Sequence, residues 1–191
     1  VDICKKSGLR IHMDGARIAN ATAALGIPVA EFTSELGIDI LSFGGTKNGM
    51  AFGEAIVVFN DELATPAQFI QKQSAQLPSK MRYISAQFTA FLENDLWLNH
   101  AAHANTMAKQ LSEGLEKISG VEITQKTEVN AVFAKLPSES ISVLRNWSYF
   151  YDWEQENEIR LMTSFETTSQ DVERMLTGIE WALNGGANDK S

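Results

Sequence analysis

The sequence is poor in the residues that mark several common protein classes. It holds a single cysteine, Cys4, in 191 residues. That excludes an internal disulfide and a cysteine-built metal cluster, and it suits a reducing cytoplasm. No apolar run approaches the ~18 residues a membrane-spanning helix needs, so no membrane partner is expected. Basic residues are outnumbered, 16 against 24 acids, for a formal charge of -8. An acidic surface argues against nucleic acid or anionic lipid as a partner. What remains is 44% hydrophobic and 21% charged, a globular composition long enough for one sizeable core or two small ones.

The opening "VDICKKSGL" has neither an initiator Met nor the layout of a signal peptide. Val1, Ile3, Cys4 and Leu9 read as the last turns of a helix, with Gly8 as its stop. The sequence is therefore expected to begin inside a fold.

Two styles of organisation follow. Residues 10–75 alternate short strands ("RIHMD", "IDILSFG", "EAIVVF") with helices or loops such as "NATAALG". Short apolar strands separated by helical stretches predict a parallel or mixed sheet in an α/β layer. From Tyr83 to Ile118 the apolar residues recur at helical steps, and Gly120 ends that stretch. Then come strands "VEIT" and "AVFAKL", a helix from about Glu139 to Asn146, and strands near "YFYDW" and "EIRLMT". A last helix is expected over Ser169–Leu183. This is the order of a small α+β domain, with a boundary near Pro78. The tail "NGGANDKS" has a disordered composition.

The stretch "SFGGTKNGMAFGE" places Lys47 among glycines, just past the carboxyl end of a predicted buried strand. Ligands of open α/β sheets bind at that edge. A phosphate loop is excluded, because it needs Gly before its Lys and Ser or Thr after, whereas here the order is Thr46-Lys47-Asn48. A solvated loop lysine is the plain alternative. Asp14 ends the earlier strand "RIHMD", and a strand-helix-strand crossover would bring both residues to one sheet edge. By the two-residue period, Ile11 and Met13 face one side and His12 and Asp14 the other. Asp14 could simply cap the helix that follows. Yet a lysine and a carboxylate are also the two groups that a pyridoxal phosphate enzyme requires. The amine forms an imine with the aldehyde, and the carboxylate keeps the ring nitrogen protonated.

"IHMDGARIANA" and "DILSFGGTKNGMAFGEAIVVF" resemble the two signature stretches of the L-threonine aldolases (low-specificity type). These are fold-type-I pyridoxal phosphate enzymes of the β-eliminating lyase group. "QLPSKMRYISAQF" and "EIRLMTSFETTSQDVERML" resemble that family's entry to its small domain and its final strand and helix. The resemblance implies an α/β fold, with residues 1–77 as the C-terminal part of the cofactor-binding large domain. Residues 78–191 would be the small α+β domain.

It also implies roles for single residues. Lys47 matches the lysine that holds pyridoxal 5'-phosphate, and Asp14 the carboxylate on the pyridinium nitrogen. Arg17 and Arg160 match the arginines on the substrate α-carboxylate, where a guanidinium fork meets two oxygens at once. Arg82 resembles the arginine near the cofactor phosphate, reaching a neighbouring subunit's site; the plainer reading is a surface arginine at a helix start. Lys72 could assist there, but a solvated lysine is the simpler reading.

The implied reaction is retro-aldol cleavage of L-threonine or L-allo-threonine to glycine and acetaldehyde, by a cytoplasmic homodimer or homotetramer. A β-eliminating lyase or an aminotransferase-like enzyme on the same fold is the alternative. The family's upstream phosphate loop and stacking histidine find no match here, so this stretch alone is expected to be inactive.

Other residues take plain readings. His100 and His103 share a helix face without a third metal ligand, so no metal is expected. Trp97, Trp147, Trp153 and Trp181 read as small-domain core or subunit contacts. Glu154, Glu156 and Glu158 read as a solvated charged run.

Overall fold

The computed structural model describes residues 1–186, which fall into two compact units that part between His100 and Ala101. In the first, α1 (Asp2–Lys6) carries Lys5 and Lys6 in its last turn, which complements the helix dipole, and Gly8 follows at φ 66°. Then come β1 (His12–Gly15), α2 (Ile18–Leu25), β2 (Ile40–Gly44) and β3 (Glu54–Val58). The sheet order is β1-β2-β3, with β1 parallel to β2 and β3 antiparallel, the mixed sheet that the pattern predicts. His12 and Asp14 are exposed while Met13 is half-buried and Gly15 buried, as the period of two requires.

Asp39 fixes the strand starts. Its Oδ2 accepts from Ile11 N–H at 2.8 Å and its Oδ1 from Asn60 Nδ2 at 2.5 Å, with Arg10 at 3.5 Å. The Asn60 bond, then the Ile11 bond, hold this carboxyl below its usual range. Pinning one end of the sheet sets the register at the other. β1 and β2 pair Asp14 with Ser42 and Gly15 with Phe43, so both strands end at one edge.

Two helices complete this unit. α3 (Asp61–Gln73) was not legible in the sequence; it buries no residue, and its start is capped by Asn60 Oδ1 accepting from Glu62 N–H at 3.0 Å. α4 (Arg82–Leu92) brings Phe88 and Phe91 to the Phe43 ring, with centroids 6.3 and 6.4 Å away. The single helical period expected over 83–118 is broken. Asn94 and Asp95 take φ values of 53° and 56°, and a new helix, α5 (Leu96–Leu115), starts after them. Trp97, at 5.7 Å from Phe43, thus belongs to the first unit and not to the small-domain region. The division falls later than the boundary expected at 77/78, because this aromatic cluster ties α4 and the start of α5 to the sheet.

The second unit holds β4 (Glu122–Ile123), β5 (Ala131–Lys135), α6 (Ser138–Leu144), β6 (Tyr151–Asp152), β7 (Glu158–Met162) and α7 (Ser169–Leu183). Its antiparallel sheet runs β4-β5-β7-β6. Val132 and Ala134 of β5, with Ile159 and Leu161 of β7, fill one core with Leu111 and Leu115 of α5 and Val172 and Ile179 of α7. Each fully buried Leu or Ile stabilises by about 1.5–3 kcal/mol relative to exposure. α7 begins with a reciprocal cap: Asp171 N–H donates to Thr168 Oγ1 at 3.1 Å, and Thr168 N–H to Asp171 Oδ2 at 2.9 Å.

Glu158 departs from its expected place in a solvated run. It is 1% exposed, and its carboxylate accepts from Thr124 Oγ1 and, at 3.1 Å, from Gln155 N–H. It lies on the β7 face opposite Ile159 and Leu161, and burial there is tolerated because both carboxylate oxygens are satisfied. Of the tail expected to be disordered, 184–186 form a turn and the remainder lies outside the described residues.

Candidate functional site

The carboxyl edge of the β1–β2 pair gathers three of the candidate residues. Asp14 is the penultimate residue of β1, and its Oδ1 accepts from Ala16 N–H at 2.9 Å. That bond makes a local turn; the cap position of α2 is held by Arg17 instead. Arg17 is exposed, one step beyond the turn. Lys47 lies in a single turn of 3-10 helix, Thr46–Asn48, directly after β2, and it too is exposed.

The two loops touch through Gly44. A Cβ there would lie 2.7 Å from both Cα and O of Ala16, so only glycine lets the strand end pass the Asp14–Arg17 turn. The loop that carries Lys47 is closed by Thr46, whose Oγ1 accepts from Gly53 N–H at 3.1 Å and donates to Gly53 O at 3.3 Å. Its far limb is held from α4: Ala51 N–H donates to Gln87 Oε1 at 3.0 Å. His12 Nε2 and Ser42 Oγ stand 2.8 Å apart on the exposed face that carries Asp14. One sheet face therefore presents a carboxylate beside an amine-bearing loop whose backbone is fastened at both ends.

Arg82 is the first residue of α4 and exposed, and among the described residues no contact ties it to Asp14 or Lys47. Lys72 is exposed in the last turn of α3.

Arg160 belongs to the second unit, on β7. Ile159 and Leu161 turn into the core, 0% and 4% exposed, so Arg160 faces the other way as the strand period requires. It pairs with Phe133 on one side and Tyr151 on the other. Its guanidinium carbon lies 5.0 Å from the Tyr151 ring centre and 4.5 Å from that of Trp153, which itself packs on Phe133 at 5.1 Å. Both rings lie within cation–π range of the guanidinium, each such contact contributing about 0.5–2 kcal/mol. Arg160 Nε is buried and, among the described residues, has no hydrogen-bond partner. A half-buried guanidinium held beside two aromatic rings is suited to a carboxylate.

Tyr151 and Trp153 were not singled out as site residues by the sequence. Their i, i+2 spacing in "YDW" was the available signal, since alternate strand residues share a face. His100 and His103 make separate bonds, His100 Nδ1 to Asn48 O at 2.9 Å and His103 Nε2 to Thr167 O at 2.7 Å. Among the described residues no cluster of His, Cys, Asp and Glu could hold a metal ion.

Residues 1–138 match the family model described as β-eliminating lyase. Among curated proteins, the chain is 46% identical over 182 residues to the low-specificity L-threonine aldolase of a Pseudomonas species, covering 95% of this chain and 53% of that protein. It is 45% identical over 174 residues to the same-named protein of Pseudomonas aeruginosa, covering 90% and 49% respectively. Among solved structures, the threonine aldolase of Leishmania major superposes with a TM-score of 0.84 at 30% identity, covering 94% of this chain and 54% of that one. The chain spans about half the length of the curated relatives it matches.

Proposed function

Because the chain belongs to the β-eliminating lyase family, we propose that Lys47 holds pyridoxal 5'-phosphate covalently. On this reading the whole protein cleaves L-threonine and L-allo-threonine to glycine and acetaldehyde. The fold is the mixed α/β fold of the fold-type-I pyridoxal phosphate enzymes, and the family implies dependence on that cofactor. The observation that carries the reading is the parallel β1–β2 register, which ends Asp14's strand and Lys47's strand at one edge, with Gly44 pressed on Ala16. The residues present fit the cofactor: an amine for its aldehyde, a carboxylate for its ring nitrogen, and a backbone approach that a side chain would block. Bound there, the cofactor supplies an electron sink for the pair left when the substrate's Cα–Cβ bond breaks.

Each side chain then has a task. Asp14 keeps a proton on the ring nitrogen, and a carboxylate already holding Ala16 N–H is fixed in direction for it. Arg17 and Arg160 take the substrate carboxylate, with the aromatic contacts of Arg160 supporting the second assignment. Arg82 serves the phosphate. The relatives' names carry the choice of substrate. Assembly as a homodimer or homotetramer in the cytoplasm completes the reading. The assembly part of this reading is supported by the apolar Phe69 and Ile70, which α3 leaves 66% and 58% exposed. Among the described residues no helix is long and apolar enough to cross a membrane.

Product analysis tests the reaction. Incubating the whole protein with cofactor and L-threonine is expected to release glycine and acetaldehyde in equal amounts. A 2-oxo acid with ammonia in their place would assign β-elimination instead.

A further inference from the structure

The turn that carries Lys47 is anchored by its neighbour. Asn48 is 5% exposed beside the exposed lysine. Its Nδ2 donates to Trp97 O at 2.8 Å, and its own carbonyl meets His100 Nδ1 at 2.9 Å. Gly49, the next residue, sits at φ 114°, and a Cβ on it would lie 2.6 Å from the same Nδ1. The imidazole is therefore laid against the backbone that leaves the lysine. Trp97 and His100 both lie near the start of α5, so one helix end grips Asn48 through its side chain and through its main chain.

The direction of the second bond is fixed by chemistry. A carbonyl oxygen only accepts, so His100 Nδ1 carries the proton and donates. A lysine side chain is long and samples many rotamers, so the direction in which its amine leaves the loop depends on how firmly its backbone is held. Reacting groups displaced by even about 1 Å lose rate steeply.

We propose that His100 and Asn48 are positioning residues for the Lys47 amine, acting as a two-bond latch between the lysine turn and the start of α5. His100 is then neither a metal ligand nor a proton-transfer group; it acts through the Asn48 carbonyl. The inference rests on the reading of Lys47 as the covalent cofactor lysine.

The test compares His100→Leu with His100→Asn in the whole protein. Leucine and asparagine share the same branching at Cγ, but only asparagine offers a donor at the position along the side chain where Nδ1 stands. Each protein is stripped of cofactor, mixed with pyridoxal 5'-phosphate and quenched with borohydride at intervals. The cofactor fixed on the Lys47 peptide is then measured against time, with a thermal melt of each stripped protein alongside. Labelling of His100→Leu is expected to slow by about tenfold, and His100→Asn to stay within about twofold of wild type. The two variants are expected to melt together. Equal rates in all three proteins, or equal slowing of both variants, would overturn the latch. Wild-type label on a lysine other than Lys47 would instead overturn the reading on which the latch rests. Should His100→Leu fail to fold, Asn48→Leu removes the donor to Trp97 at similar volume. It is expected to show the same slowing of about tenfold, and a wild-type rate there would equally overturn the proposal.

Discussion

Asp14→Asn is expected to lower turnover of L-threonine by the whole protein about a hundredfold or more, roughly 3 kcal/mol of transition-state stabilisation. The amide keeps the shape of the carboxylate, and its oxygen can still accept from Ala16 N–H, as Asp14 Oδ1 does at 2.9 Å. What it loses is the negative charge that holds a proton on the ring nitrogen, and with it the strength of the electron sink. Cofactor content should persist, because Lys47 is untouched. The measurement is kcat with the bound cofactor quantified in the same sample. Near-normal kcat at full cofactor content would leave Asp14 with its turn-forming hydrogen bond and no part in the chemistry.

Arg160→Ala carries the second large effect. Loss of a charge-assisted, bidentate partner is expected to weaken amino-acid binding by about 2–4 kcal/mol. Titrating the visible absorption of the bound cofactor with glycine reads this directly. Cofactor affinity should hold, since the alanine change leaves both Lys47 and Asp14 in place. Arg160→Lys is expected to recover only part of the loss. An ammonium has no fork, and it lacks the planar group whose carbon stands 5.0 and 4.5 Å from the Tyr151 and Trp153 ring centres. Identical glycine dissociation constants in all three proteins would place the carboxylate elsewhere and leave Arg160 as an aromatic-packed arginine of the sheet.

The strands that carry these residues were legible because each is short, apolar and punctuated. "RIHMD" and "IDILSFG" end in glycine-bearing turns, and the parallel pairing of Asp14 with Ser42 follows from the crossover between them. Backbone events without an apolar signature were hidden. The break at Asn94 and Asp95 depends on two positive φ values, and the hydrophobic period runs on through both flanking helices as though they were one. Asn and Asp tolerate that conformation better than most residues, which is the faint signal the segment "END" offered. α3 was missed for another reason, since Pro66 in its interior reads as a helix breaker.

Contacts between distant positions were beyond reach. Glu158 sits in an acidic run, yet it is buried against Thr124 and Gln155. His100 reaches a main-chain carbonyl far away in the chain, and a carbonyl has no side chain through which the sequence could announce it. Lys47 was the easiest residue to find because its loop needs glycine at Gly44 and Gly49 for reasons of space and backbone conformation.

Peptide mapping tests most directly whether Lys47 is the residue that binds the cofactor. The whole protein, saturated with pyridoxal 5'-phosphate, is reduced with borohydride, digested, and the modified peptide sequenced by mass spectrometry. One modified lysine is expected, Lys47, in the peptide containing "GGTKNG". A modified Lys72 or Lys80 with Lys47 unmodified would contradict it.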